Sequence, residues 1–407
     1  MADSKTPSFA KKCLDKLALI TGMEHRMIVM LGALLAIWLV LNTLTGGIFL
    51  SARNLYNLSV QSSVVAIMAT GMVLVIVTRH IDLSVGSLLG FVGMSIAWMQ
   101  VELFPIGQGW WPLAIVFGVL IGAALGAMQG WWIAYQGIPA FVVTLGGLLM
   151  FRGAAFMVTE GRTVAPMDPT YQLLGGGING SIGGTASTVL ALLCIVVLIS
   201  AAWYRRHKNS KNNKPQRSLV FELLHIGFWA GVILAFVNIM NSYTLPRSDE
   251  ARGIPIPVLI MIGTVLVMTF IATRTRFGRY VFAIGGNPNA ASLSGINVKK
   301  VTVFVFVVMG VLCAIAAVVT TARLNAGTNS MGTLAELNVI AAAVIGGTSL
   351  AGGAGTIPGA ILGAVIMQSL DNGMVLLGVS SAMRMIVMGL VLVIAVWFDV
   401  AYTRRRQ

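Results

Sequence analysis

Thirteen carboxylates, four histidines and three cysteines are all that this 407-residue chain offers for acid–base, nucleophilic or metal chemistry. Their spacing builds no such centre. Cys13, Cys194 and Cys313 are isolated and odd in number, which gives neither a disulfide framework nor a metal site. His80 and His225 are equally alone. No G-x-x-x-x-G-K-[ST] phosphate loop occurs, and the nearest approach, GGNPNAAS from Gly285, lacks the lysine. The chain is therefore expected not to be an enzyme and to hold no cofactor or metal. Any energy source for it lies on another chain.

A few polar residues fall inside apolar surroundings. Asp82 and Asp371 come nearest to an apolar interior, while Glu222 and Asp399 stand at the ends of apolar runs. Asp82 lies in RHIDLSVGS, where Asp82 or Ser84 can accept backbone N–H bonds as a new helix begins, with Arg79 balancing the charge. The same residues can instead form the inner constriction of a pathway. Asp371-Asn372-Gly373 reads as a turn or helix end. Arg152 sits within LGGLLMFRGAAFMV and must pair, snorkel or face water. Asn54, Asn57 and Gln61 follow Arg53 at near-helical spacing and fit either an outer vestibule or a bland interfacial helix.

The elements that position these residues are membrane helices. With 57% hydrophobic and 10% charged residues, the composition excludes a soluble globular protein. About twelve apolar runs are long enough to read as spans, from one starting near Met27 to one ending near residue 400. Among them is 334–349. The first exceeds a signal-peptide core and reads as a retained anchor. The fold class is all-α and polytopic. A tail (1–26) precedes the spans (27–400) and a short basic tail (401–407) follows. The Trp110-Trp111 and Trp131-Trp132 pairs read as interfacial anchors.

A net charge of +14 raises the question of nucleic acid, yet the basic residues cluster at span ends rather than on an aromatic-studded face. Twenty of the 27 Lys and Arg fall in alternate loops and both tails. That asymmetry places both termini in the cytoplasm. Residues 205–217 read as a basic, structureless cytoplasmic linker, and 173–184 and 241–255 as outer loops. The N-terminal tail suits an amphipathic helix on an anionic leaflet and a disordered basic arm equally well.

The stretch 274–300 carries five basic residues and no acid, so it belongs to the cytoplasmic side. Within it Asn287 can N-cap, Pro288 suits the first helical position, and Gly295 can supply a left-handed residue past the end. Ala290, Ala291, Leu293 and Ile296 give this two-turn helix a small apolar face. A plain connection would be shorter. The expected docking residues are Gly285, Gly286, Asn287, Pro288, Ala290, Ala291, Leu293, Ser294 and Gly295, and the expected visitor is a soluble partner.

Two further stretches interrupt apolar hairpins. IDLSVGSLLG surrounds Asp82, and GGTSLAGGAGTIPGAILG begins at Gly346; each closes on a small-x-x-x-small pair, Gly86/Gly90 and Gly359/Gly363. Both hairpins point the same way, which suggests a parallel internal repeat with broken helices. Helices break at membrane depth where the freed backbone faces protein or a watery cavity. Asp82, Ser84, Gly86, Asn57, Gln61, Gly346, Gly347, Thr348 and Ser349 are therefore the candidate pathway or gate.

The motifs RHIDLSVGS (79–87), GRYVFAIGGNPNAASLSGINV (278–298), ELNVIAAAVIGGTSLAGGAGTIPGAILGA (336–364) and LDNGM (370–374) together resemble the permease subunits of bacterial ATP-driven monosaccharide importers. That group includes ribose, xylose, arabinose and multiple-monosaccharide permeases, and the extra spans within 186–240 are more similar to the xylose and multiple-sugar members. The resemblance implies a permease homodimer around a central pathway in the inner membrane. It also implies a cytoplasmic ATPase docking on 278–298 and a periplasmic binding protein delivering a neutral sugar, xylose or a related aldose. Arg79 is a departure, since several members of that group have a small or neutral residue there. A stand-alone secondary transporter, or the same architecture carrying nucleosides, autoinducers or amino acids, are the alternatives.

Overall fold

The computed structural model describes residues 15, 17–104, 107–177, 179–212, 218–245 and 248–404, with side chains to 397. Most of the 1–26 tail, the 213–217 part of the linker and the end of the 401–407 tail lie outside the described residues. Among the described residues the chain is all-helical, and ten helices are long and apolar enough to cross a membrane.

In chain order the helices, long and short, are α1 (His25–Leu44), α2 (Ala52–Val77), α3 (Val85–Trp98), α4 (Trp111–Ala134), α5 (Ala140–Thr159) and a short α6 (Pro169–Gln172). There follow α7 (Gly184–Lys211), α8 (Leu219–Asn241), α9 (Ile256–Arg274), α10 (Arg276–Gly286) and α11 (Pro288–Leu293). The chain ends with α12 (Val298–Leu324), α13 (Ala335–Ile345), α14 (Ile357–Leu376) and α15 (Ser381–Arg404). A π-helical turn, Met99–Leu103, prolongs α3.

The helices form an inner and an outer layer. Within its most apolar window α2 is 89% buried, against 11% for α7 and 6% for α8. Small residues let α2 sit at the centre, and its hydroxyls bond back to their own helix, Ser63 to Val60 O and Thr70 to Ile67 O. The α4–α12 pair shows how glycine builds the core. Gly118, Gly122, Gly126 and Gly130 recur every fourth residue, and the last three lie against the α12 backbone at Gly310, Phe306 and Val303.

The expected span at 334–349 is corrected by α13. Eleven residues reach roughly 16 Å at 1.5 Å per residue, about half of a hydrocarbon core near 30 Å. Gly332 and Leu334, both left-handed with φ of 69° and 59°, break the approach to it. The 205–217 stretch is not structureless along its first half, because α7 runs on to Lys211. There Arg206 of α7 pairs with Glu222 of α8 at 2.8 Å.

Asp371-Asn372-Gly373 is likewise not a turn. It lies inside α14, which is capped at Leu377, and its polar groups are taken up elsewhere: Asp371 by Arg384 at 2.9 Å and Asn372 by Asn54. Asn54 is thus a buried tie rather than a vestibule residue. The Trp131 and Trp132 rings are exposed, in keeping with interfacial anchors. His225 bonds the Ile20 carbonyl at 2.8 Å, fastening the segment before α1 to α8.

Candidate functional site

The helix expected between Asn287 and Gly295 is present as α11. Asn287 caps it by accepting from the Ala290 N–H at 3.0 Å, Pro288 opens it, and Gly295 follows it with φ of 84°. Ser294 Oγ donates to the Ala290 carbonyl, and Ala291 is buried beneath the turn. Leu293 is 90% exposed. Among the large apolar side chains of the described residues, none is more exposed.

The sequence did not disclose what carries α11. The preceding α10 is amphipathic, with Gly278, Val281, Ile284 and Gly285 buried on one face and Arg276, Arg279 and Tyr280 exposed. Thr275 caps it by accepting from the Gly278 N–H. At its far end Gly285 has no room for a side chain, since a Cβ there would run into the Val77 carbonyl and Gly353 N. Gly286, one residue on, faces open space.

Arg79 completes this corner. Its Nε donates to Gly285 O and its Nη2 to Gly286 O, each at 2.8 Å. Those carbonyls belong to the last turn of α10, where helices leave acceptors unpaired. Arg79 itself is left-handed, with φ of 64°, a conformation costing a side-chain-bearing residue roughly 1–2 kcal/mol. Glycine adopts that φ without cost, and the two charge-assisted bonds are what the arginine gains in exchange. Arg79 does not serve as the counter-charge of Asp82, contrary to the sequence expectation.

Asp82 also differs in detail. It caps no helix: Asp82 Oδ1 accepts from Ser84 N at 2.8 Å and Ser84 Oγ at 2.6 Å, an Asx turn two residues before α3. Gln129 Nε2 of α4 donates to Ser84 Oγ at 2.9 Å. The carboxyl is buried in the loop between α2 and α3, and burial pushes its pKa up to about 6.

The second hairpin turn, 346–356, meets the first. Gly353 N donates to Val77 O at 3.0 Å, and left-handed Gly352 lies against the Arg79 stem. Gly346 packs on Ala360, Gly347 receives the Arg26 guanidinium on its carbonyl at 3.2 Å, and Thr348 is buried with Oγ1 unpartnered. Ser349 closes the turn through its N–H to Ala354 O. Gly359 and Gly363 bring α14 onto the carbonyls of Gly346 and Ala342.

The other glycine pair, Gly86 and Gly90 on α3, receives the non-helical approach to α13, against Glu336, Gly332 and Met331. There Arg152 finds its partners, donating from Nη1 to Asn329 O at 3.0 Å and Met331 O at 2.8 Å. The arginine in the apolar run thus satisfies backbone freed by a broken helix. Asn57 and Gln61 lie apart from this assembly, exposed and half-exposed near the opposite end of α2. The nine candidate pathway residues therefore fall in three places: Asp82, Ser84 and Gly86 at the start of α3, 346–349 in the turn past the end of α13, and Asn57 and Gln61 near the opposite end of α2.

Two interrupted hairpins thus meet one exposed amphipathic segment at the Arg79 corner, and the comparisons identify the kind of bundle this is. The family described as "Branched-chain amino acid transport system / permease component" matches residues 54–396, and the chain belongs to it: it is a membrane transport permease. Its relatives include the xylose transport system permease protein XylH of Escherichia coli (strain K12), 40% identical over 387 residues, 95% of this chain and 94% of the relative. XylH of Haemophilus influenzae is 39% identical over 390 residues, 95% of this chain and 99% of the relative. The ribose import permease protein RbsC of Escherichia coli (strain K12) is 34% identical over 380 residues, 93% of this chain and 94% of the relative. No solved structure matches.

Proposed function

We propose that this chain is the membrane subunit of an ATP-driven importer for a monosaccharide, xylose or a related aldose. It works as a homodimer in a bacterial inner membrane with both termini cytoplasmic. ATP is hydrolysed by a separate cytoplasmic subunit that docks on α11, and a periplasmic binding protein delivers the sugar. The observation that carries the reading is the capped α11 with Leu293 almost wholly exposed, on a segment with five basic residues and no acid. The likeness to xylose and ribose permeases supports the cargo class.

Asp82, Ser84, Gly86 and the 346–349 turn form the inner gate in this reading, while Asn57 and Gln61 face the outer mouth. A neutral sugar asks for hydroxyls, amides and backbone groups rather than paired charges. Weak contacts along the way favour passage over retention, which leaves selectivity with the binding protein. The parallel repeat of the two hairpins gives the gate its paired turns.

Proteoliposomes holding this chain, its companion ATPase and the binding protein test the reading. Uptake of labelled xylose or a related aldose that requires all three and ATP supports it. Sugar accumulation by this chain alone would make it a secondary transporter. Uptake of branched-chain amino acids in place of sugar would move the cargo to the one the family description names.

A further inference from the structure

Arg79 stands where three elements converge. Its guanidinium bonds the carbonyls of Gly285 and Gly286 at the end of α10, and its backbone continues α2 into the Asp82 turn. Its stem touches Gly352 of the 346–356 turn. Two steps of chain separate Gly286 from Pro288, so α11 cannot shift without pulling on the carbonyls that Arg79 holds.

Packing and hydrogen bonding transmit different forces. The close seat of Gly285 on Val77 and Gly353 resists a push, but van der Waals contact yields once its partners are drawn apart. Two charge-assisted bonds from one planar guanidinium resist separation and fix orientation as well. An alternating machine needs both strokes, and around α10's end the Arg79 fork is what the pull can act through.

We propose that Arg79 is the positioning residue that couples the α10–α11 segment to the two hairpin turns, so that displacement of α11 moves the Asp82 and 346–356 turns together. This rests on the reading of α11 as the ATPase dock. Arg79 touches no cargo in this account and acts through the backbone it holds.

The test uses the complete complex of permease, ATPase and binding protein in proteoliposomes, comparing wild type with Arg79→Gly and Arg79→Lys. Glycine accepts the left-handed φ at position 79 and deletes only the side chain. Arg79→Gly is expected to assemble with the ATPase and hydrolyse ATP at the wild-type rate, while sugar moved per ATP falls roughly tenfold, within the usual range of coupling between sites. Arg79→Lys should recover part of that ratio, since an ammonium keeps the charge and loses the fork. An unchanged ratio in Arg79→Gly overturns the proposal. So does a loss of ATPase binding and thermal stability together, which would make Arg79 merely structural. Should Arg79→Gly fail to insert, Arg79→Gln carries the same measurement. Failure of wild type to bind any ATPase would strike the docking reading instead.

Discussion

Asn54 Nδ2 donates to Asn372 Oδ1 at 2.9 Å, joining α2 to α14 across 318 residues of chain. The same amide donates to Phe49 O at 2.8 Å, so one buried side chain fixes the start of α2, the chain before it and the last turns of α14. Asn54→Ala leaves the Asn372 oxygen without its donor. The expected cost is about 1–3 kcal/mol, read as a lower midpoint of thermal inactivation in detergent. An unmoved midpoint would show that the tie contributes nothing.

Neighbouring glycines at the end of α10 are expected to behave oppositely. In Gly285→Ala the new methyl meets two backbone groups that cannot step aside, and uptake and complex stability should both drop sharply. Gly286→Ala points into open space and should leave uptake within about twofold, consistent with a surface change of some 0.5 kcal/mol. Equal effects at the two positions would contradict the packing described here.

Arg152→Leu removes the donor that serves Asn329 O and Met331 O where α13 begins. Losing a charge-assisted donor at these part-buried carbonyls costs about 1–3 kcal/mol. Low yield of folded protein and loss of uptake are expected. Arg152→Lys should restore part of both, because one ammonium can still reach a carbonyl. A fully active Arg152→Leu would rule out this role.

By contrast, the Asp371–Arg384 pair is about one-third exposed on both sides. Arg384→Gln should change thermal stability by less than about 1 kcal/mol. A large loss would mean the pair is held far more tightly than its exposure allows.

The α11 helix was legible because its determinants are local. Asn287, Pro288 and Gly295 each act within a few residues, and all three hold the places their chemistry predicts. The membrane class was legible from composition. Interactions between distant residues stayed hidden. Asp371-Asn372-Gly373 has the composition of a turn, but Asn54 and Arg384 absorb its polar groups and the helix runs through. Asp82 looked like a partner for Arg79 because they are three residues apart, whereas Arg79 reaches residues more than two hundred positions away. The α10 helix was missed outright. Its buried face is made of Gly278, Val281 and Ile284, too short and too rich in glycine to stand out beside Arg276 and Arg279. At 334–349 the apolar run is long enough for a span, but left-handed Leu334 and Gly347 confine its helix to the eleven residues Ala335–Ile345.

The central claim is that a separate ATPase grips Leu293, and co-purification of that ATPase with a tagged Leu293→Glu variant tests it most directly. Leu293 is exposed and supports no packing within the chain, so the variant should insert and melt as wild type does. Losing an interface anchor costs about 2 kcal/mol or more, so the ATPase should bind roughly thirtyfold more weakly and be absent from the purified complex. Undiminished recovery of the ATPase with Leu293→Glu would contradict the account.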